Sequence, residues 1–219
     1  MSRTLRRAVF LCLAALLAPA LRAQEASPAY DPFFLGYETE PGMDYGGRTL
    51  SSVQSAIGRA IGSLPHVDRH PGLAPAWEFP IGAFLTVVQH EVDGHGGRAR
   101  EFGLGPSYGF GFDFSGYTTT RLAPATHTEN MLIGTAGVES DGMMARRILL
   151  DALRPEGTDG AKIPLAFMGK LDLSLYVSEV RRPASDAQRF VDQYRQGNDM
   201  AFYLVARQAA RRGARPADA

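Results

Sequence analysis

The stretch from Pro80 to Arg98 constrains this chain more than any other. Ile81, Phe84, Leu85, Val88 and Val92 fall on one stripe at helical spacing, and Ala83, Thr86 and Val87 fall on the other side. Pro80 suits the first turn of such a helix. A helix apolar on both sides belongs in the middle of its domain. Yet this one runs into Gln89-His90-Glu91-Val92-Asp93-Gly94-His95. His90 and Glu91 are therefore expected inside the protein, where a charge is costly unless it is paired or bound to a metal.

Two histidines bracketing a glutamate suggest a specific chemistry. In His-Glu-x-x-His the histidines stand four apart on one helix, both rings reach one zinc ion, and the glutamate acts as general base. Here the motif is His-Glu-x-x-x-His. On a regular helix four residues leave side chains about 40° apart, but five leave them about 140° apart. The spacing demands a π-bulge, or a helix that opens at Gly94, where no Cβ resists unusual dihedrals.

The chain opens with Arg3, Arg6 and Arg7, a short apolar core from Ala8 to Leu17, and small-residue cleavage sites at Ala18-Pro19-Ala20 or Leu21-Arg22-Ala23. Residues 1–23 read as a secretory signal peptide, too short to span a bilayer, which takes about 20 apolar residues. The expected location is the bacterial periplasm. The only cysteine, Cys12, lies inside that segment, so the mature chain has no disulfide. The signal carries four of the 23 basic residues and no acid, leaving 19 bases against 23 acids. That balance argues against a nucleic-acid partner. About 195 residues suffice for one domain with a real core. No mature segment is long and apolar enough to span a membrane.

Residues 24–48 read as an irregular N-terminal arm rich in Pro, Gly and aromatics. Thr49 or Ser51 is expected to cap a helix to about Ser63, with Leu50, Val53, Ile57 and Ile61 inward. Leu64 to Pro75 is a loop. His66 and His70 within it have metal-compatible spacing, but flanking prolines make a surface loop the simpler reading. Tyr108 to Tyr117 alternates glycine with aromatics and predicts a strand or hairpin. It would cover the core or hold a peptide by strand addition. Thr126-His127-Thr128-Glu129 is a capping box opening a helix to about Leu153. His127 at its start is a poor ligand candidate. Further helices are expected from Pro164, from a capping box at Ser185, and from Asp199 to near Gly213. The fold class is mainly α (α+β), a zincin-like helical domain with a small Gly/aromatic-rich β-hairpin.

Glu139 lies well inside the Thr126 helix, and apart from Thr135 its helical neighbours are apolar or small: Leu132, Ala136, Gly142 and Met143. A carboxylate on such a face is rarely buried alone. Metal ligation accounts for it, as does a salt bridge to Arg146 or to another helix. The minimal constellation is then His90, His95 and Glu139 around one Zn2+ with a fourth position open, and Glu91 as general base. Tyr108, Tyr117 and Tyr203 are candidate oxyanion donors. Asp93 or Asp141 could orient an imidazole from behind.

His90-Glu91-Val92-Asp93-Gly94-His95 resembles the His-Glu-x-x-Gly-His motif of the dipeptidyl-peptidase III family of zinc peptidases, including its glycine. The resemblance implies a zinc-dependent hydrolase whose third ligand is a glutamate on a downstream helix, for which Glu139 is the corresponding residue. In that family the glutamate is paired, whereas here Val138 precedes it. The likeness covers six residues plus one.

The reading that follows is an exported zinc metallopeptidase acting on a peptide or protein substrate. A catalytically degenerate, zincin-like metal-binding scaffold or binding protein of the periplasm is the alternative. Two histidines and a carboxylate also hold non-haem iron, but a base beside the first ligand is a hydrolase feature.

Overall fold

The structure, a computed structural model, describes residues 42–67, 69–155, 157–181, 187–195 and 197–214. The signal segment, the arm up to residue 41, the Ser185 capping box and the end of the tail lie outside the described residues. The described chain is mainly helical with one two-stranded antiparallel sheet, as the patterning requires.

Helix α1 spans Met43–Gly62. It starts before Thr49, so the last part of the expected arm is helical. Gly46 and Gly47 are poor helix formers, but packing demands them. A Cβ on Gly46 would fall 2.0 Å from the Asp93 carboxyl carbon, and one on Gly47 would fall 3.1 Å from the Met144 Cβ. The helix gains close approach to its neighbours in exchange for weak intrinsic propensity. A loop with a 3-10 turn (Pro71–Leu73) leads to α2, Pro75–Val88. Pro75 takes the helix-starting role expected of Pro80, which lies inside the helix.

The chain then widens into a π-helical turn, Gln89–His95, and returns to α-helix in α3, Gly96–Glu101. Strands β1 (Pro106–Phe110) and β2 (Gly116–Thr120) form the hairpin, with Tyr108 opposite Thr118. Helix α4, His127–Ala152, is capped by Thr126 Oγ1, which accepts from the Glu129 amide at 3.1 Å. A 3-10 turn (Gly160–Lys162) precedes α5, Ile163–Arg181. Helix α6 is Ala187–Arg195 and α7 is Asp199–Arg211. No helix among the described residues is long and apolar enough to cross a membrane.

Leu85, Met144, Ile148, Leu165 and Ala166 form the core, with Leu50, Val53 and Ile81 packed against it. It therefore joins α1, α2, α4 and α5. The expected stripe of α2 divides, since Phe84 leaves Ile81 and Leu85 and joins Val87 of the other side against the hairpin. Ile81 and Leu85 enter this core, while Phe84 meets Phe110 of the hairpin edge-on at 6.1 Å and Val87 lies under Gly116. Helix α4 runs through the middle, against α1, α5, α7 and the π turn.

A candidate metal centre at the π turn

The π turn answers the spacing problem posed by His90 and His95. Its i→i+5 bonding, seen directly in the Gly96 amide donating to the Glu91 carbonyl, brings positions five apart onto one face. The two rings stand edge-to-face with centroids 4.9 Å apart. Gly94 serves by its size rather than by unusual dihedrals. A Cβ there would fall 2.7 Å from the Ala136 carbonyl oxygen, the Gly137 Cα and the Ser140 Oγ, so the turn lies directly on the backbone of α4. A widened turn leaves carbonyls in need of donors. Ser140 Oγ approaches the Gln89 carbonyl at 3.2 Å, and the Arg100 guanidinium donates to the Val92 carbonyl at 3.0 Å.

Each imidazole is engaged on the side away from its partner ring. His90 Nδ1 faces Asp141 Oδ2 at 2.9 Å, and His95 Nδ1 donates to the Ile133 carbonyl at 2.6 Å. Both Nε2 atoms then converge on one carboxylate, that of Asp199. His90 Nε2 lies 3.1 Å from its Oδ2 and His95 Nε2 lies 3.2 Å from its Oδ1. Donor atoms held at about 2.0–2.1 Å in a tetrahedral zinc site stand roughly 3.3 Å apart. Each histidine–carboxylate separation is of the size that two ligands of one such ion have. His90, Glu91 and His95 also bring donor atoms within 4.8 Å of one another, as do His90, Asp141 and Asp172.

The buried charge points the same way. Asp141 is fully buried, and its Oδ1 has no hydrogen-bond partner. Burial disfavours charge on the His90 ring, but Asp141, Asp172 and Asp199 outweigh it and hold its proton affinity well above the ordinary imidazole range. Burial likewise opposes charge on His95, and Asp199 overrides it. Burial would raise the Asp199 pKa, yet the two histidines bring it down to about 2. The cluster is built to hold positive charge. Gly137 leaves the room: a Cβ there would fall 2.2 Å from His90 Nε2.

Glu91 is buried beside the histidines, and its Oε2 lies 2.8 Å from Thr118 Oγ1 of β2. Gly116 makes this possible, since a Cβ there would fall 2.7 Å from the Glu91 Cγ. The hairpin thus closes on the protein's own glutamate. Tyr176 stacks on the His90 ring at 5.6 Å, with its hydroxyl 3.5 Å from His90 Nε2. These groups open on a cavity of about 640 Å³, lined also by Phe114, Tyr117, Ile133 and Phe202.

Glu139 does not join this cluster. Its side chain is 44% exposed and pairs with Arg98 at 3.2 Å, so the salt bridge to another helix accounts for it. Two residues further along α4, and about 200° round the helix axis, Asp141 points inward. The apolar neighbours that argued for burial of Glu139 include Leu132 and Met143, both solvent-exposed. His66 and His70 are exposed in their loop, and His127 Nε2 lies 2.6 Å from the Ala214 carbonyl. Tyr108 bonds Arg100 above Gly96, and Tyr203 does not line the cavity. Asp93 lies beneath α1 against Gly46, where burial, partly opposed by Arg100, raises its pKa to about 7.

Asp172, Tyr176 and Asp199 carry roles that sequence reasoning missed. Asp172 interrupts an apolar run in Leu171-Asp172-Leu173, and Tyr176 follows one turn later on the same face. By residue type Asp199, at the start of α7, suits a helix cap. The cap is Asn198, whose side chain accepts from the Ala201 amide at 3.0 Å, and this leaves the Asp199 carboxylate free to turn to the histidines. Neither any protein-family model nor any curated protein or solved structure compared with the chain matches it.

Proposed function

We propose that the protein is an exported zinc-dependent metallopeptidase whose metal ligands are His90, His95 and Asp199. The observation that carries this reading is the convergence of both Nε2 atoms on the two Asp199 oxygens, while each Nδ1 is held from behind. Carboxylate–histidine pairs of the Asp141–His90 kind fix the tautomer and sharpen the basicity of a ligating ring. A bound zinc ion would polarise the scissile carbonyl and make a water nucleophilic near neutral pH.

The chain's own groups supply the rest. Glu91, adjacent to the first ligand, takes the proton from the attacking water and passes it to the leaving nitrogen. Thr118 orients that carboxylate through its hydroxyl. Tyr176, with its hydroxyl beside His90 Nε2 and on the cavity wall, is the donor best situated for the developing oxyanion. The five-residue motif spacing and the π turn belong together in this reading.

Metal analysis of the purified protein tests it. About one zinc per chain is expected, lost in Asp199→Ala and kept in Glu139→Ala. Loss of zinc in Glu139→Ala with retention in Asp199→Ala would overturn the ligand assignment. Glu91→Gln is expected to keep the metal and to lose hydrolysis of a casein or peptide-library substrate.

A further inference from the structure

Asn130 is a buried polar side chain on the cavity wall that the metal cluster does not use. It is 6% exposed and lines the cavity with Ile133 and Gly134. Its backbone amide donates to the Thr126 carbonyl at 3.1 Å, but among the described residues its carboxamide has no hydrogen-bond partner. The local reasons for an asparagine near a helix start are met by others: Thr126 caps α4, and Glu129 Oε2 accepts from the Ala125 amide. Past the cap asparagine is a poorer helix former than alanine, and a buried amide without a partner costs stability. Such a group offers an acceptor and two donors without charge. That set matches a peptide group, which presents one C=O and one N–H.

The position of Asn130 on α4 sets its distance from the metal ligands. Asn130, Gly134, Gly137 and Asp141 follow one another at intervals of four, three and four residues, so they share one helix face. Gly137 lies under His90 Nε2, Gly134 lies under Phe202, and Asn130 is next along the face. From Gly137 to Asn130 the helix advances about 10 Å. An extended peptide advances about 3.3 Å per residue, so the carboxamide stands roughly three residues from the reacting bond.

We infer that Asn130 is a substrate-binding residue whose carboxamide hydrogen-bonds the main chain of a peptide roughly three residues from the bond that is cut, so that the site takes oligopeptide segments in preference to dipeptides. The inference rests on the metallopeptidase reading and names its substrate class. Because the contact is to backbone, it sets the length and path of the substrate and leaves its side chains free to vary.

The test uses zinc-loaded Glu91→Gln, so that probes bind without being cut, with and without Asn130→Ala. N-acetyl-hexaalanine amide is long enough to reach from the metal to Asn130, whereas acetohydroxamate engages the metal alone. The hexaalanine probe is expected to bind about tenfold more weakly to the Asn130→Ala protein, the scale of one buried hydrogen bond, and acetohydroxamate equally to both. In thermal unfolding of the free proteins, Asn130→Ala is expected to be as stable as its parent or more so, because an unpaired amide is replaced by a better helix former. Equal hexaalanine binding, no hexaalanine binding to either protein, or a less stable variant that loses both probes overturns the inference. A protein that takes up no zinc and ignores acetohydroxamate, yet still distinguishes the hexaalanine probe through Asn130, sinks the metal reading alone.

Discussion

Glu139 and Asp141 stand two residues apart on α4 and differ in everything that matters for function. Glu139 is 44% exposed and shares its charge with Arg98, while Asp141 is fully buried and holds His90 from behind. An exposed ion pair is worth little, with a median of about 0–1 kcal/mol. A buried carboxylate without full compensation costs several kcal/mol and persists only where something requires it. Carboxylates on one helix are therefore distinguished by the face they occupy. Helix α4 turns its small residues, Gly134, Gly137 and Ser140, towards the site and towards α7, and Asp141 follows at the spacing of that same face.

The largest effect that would break this comparison comes from crowding the inward face. Gly137→Val places atoms where the His90 ring lies, so we expect loss of metal affinity and destabilisation of about 1–3 kcal/mol or more, read by zinc content and denaturant unfolding. Asp141→Asn is gentler, since the side chain keeps its shape. A 10–100-fold loss of zinc affinity is expected, because the ring keeps its ligand atom and loses its carboxylate support. Competition with a chelator of known affinity checks it, and an unchanged affinity would remove Asp141 from the site.

Thr118→Val should leave zinc content intact and lower kcat about tenfold by releasing Glu91, with Thr118→Ser restoring it; equal activity in all three proteins would discard the positioning role. A smaller effect is expected away from the site, at Lys162, which burial holds at a pKa of about 8. The folded state disfavours the lysine charge, so the cost is present in full below pH 8. It fades as pH rises from about 8 towards the unfolded value near 10.5, where the unfolded chain binds more protons. Lys162→Met should thus abolish the rise in stability between pH 7 and pH 10 that this group contributes. Unfolding at both pH values measures it. The smallest effect belongs to Glu139→Ala, within about 0.5 kcal/mol in stability and with no change in zinc.

Much of this arrangement was written in local patterning. The Thr126 capping box marks the start of α4, the alternating glycines and aromatics mark the hairpin, and the five-residue histidine spacing calls for the π turn that Gln89–His95 forms. These features depend on residues within a turn or two of one another, and local chemistry suffices to read them. The boundary of α1 was not legible, because Gly46 and Gly47 make sense only once Asp93 and Met144 are packed against them.

The partners of the two histidines came from further away. Asp141 lies 51 residues beyond His90, and Asp199 lies at the start of the last described helix. No periodicity in α4 says which of two nearby carboxylates faces inward when Leu132 and Met143 turn apolar surface to solvent. No capping rule says that Asn198 takes the cap and frees Asp199. The sequence by itself determined that two histidines and a glutamate would share one distorted turn. Only the packing of α4, α5 and α7 around that turn decided which carboxylates meet them, because a helix face is chosen by its neighbours and not by its own residues alone.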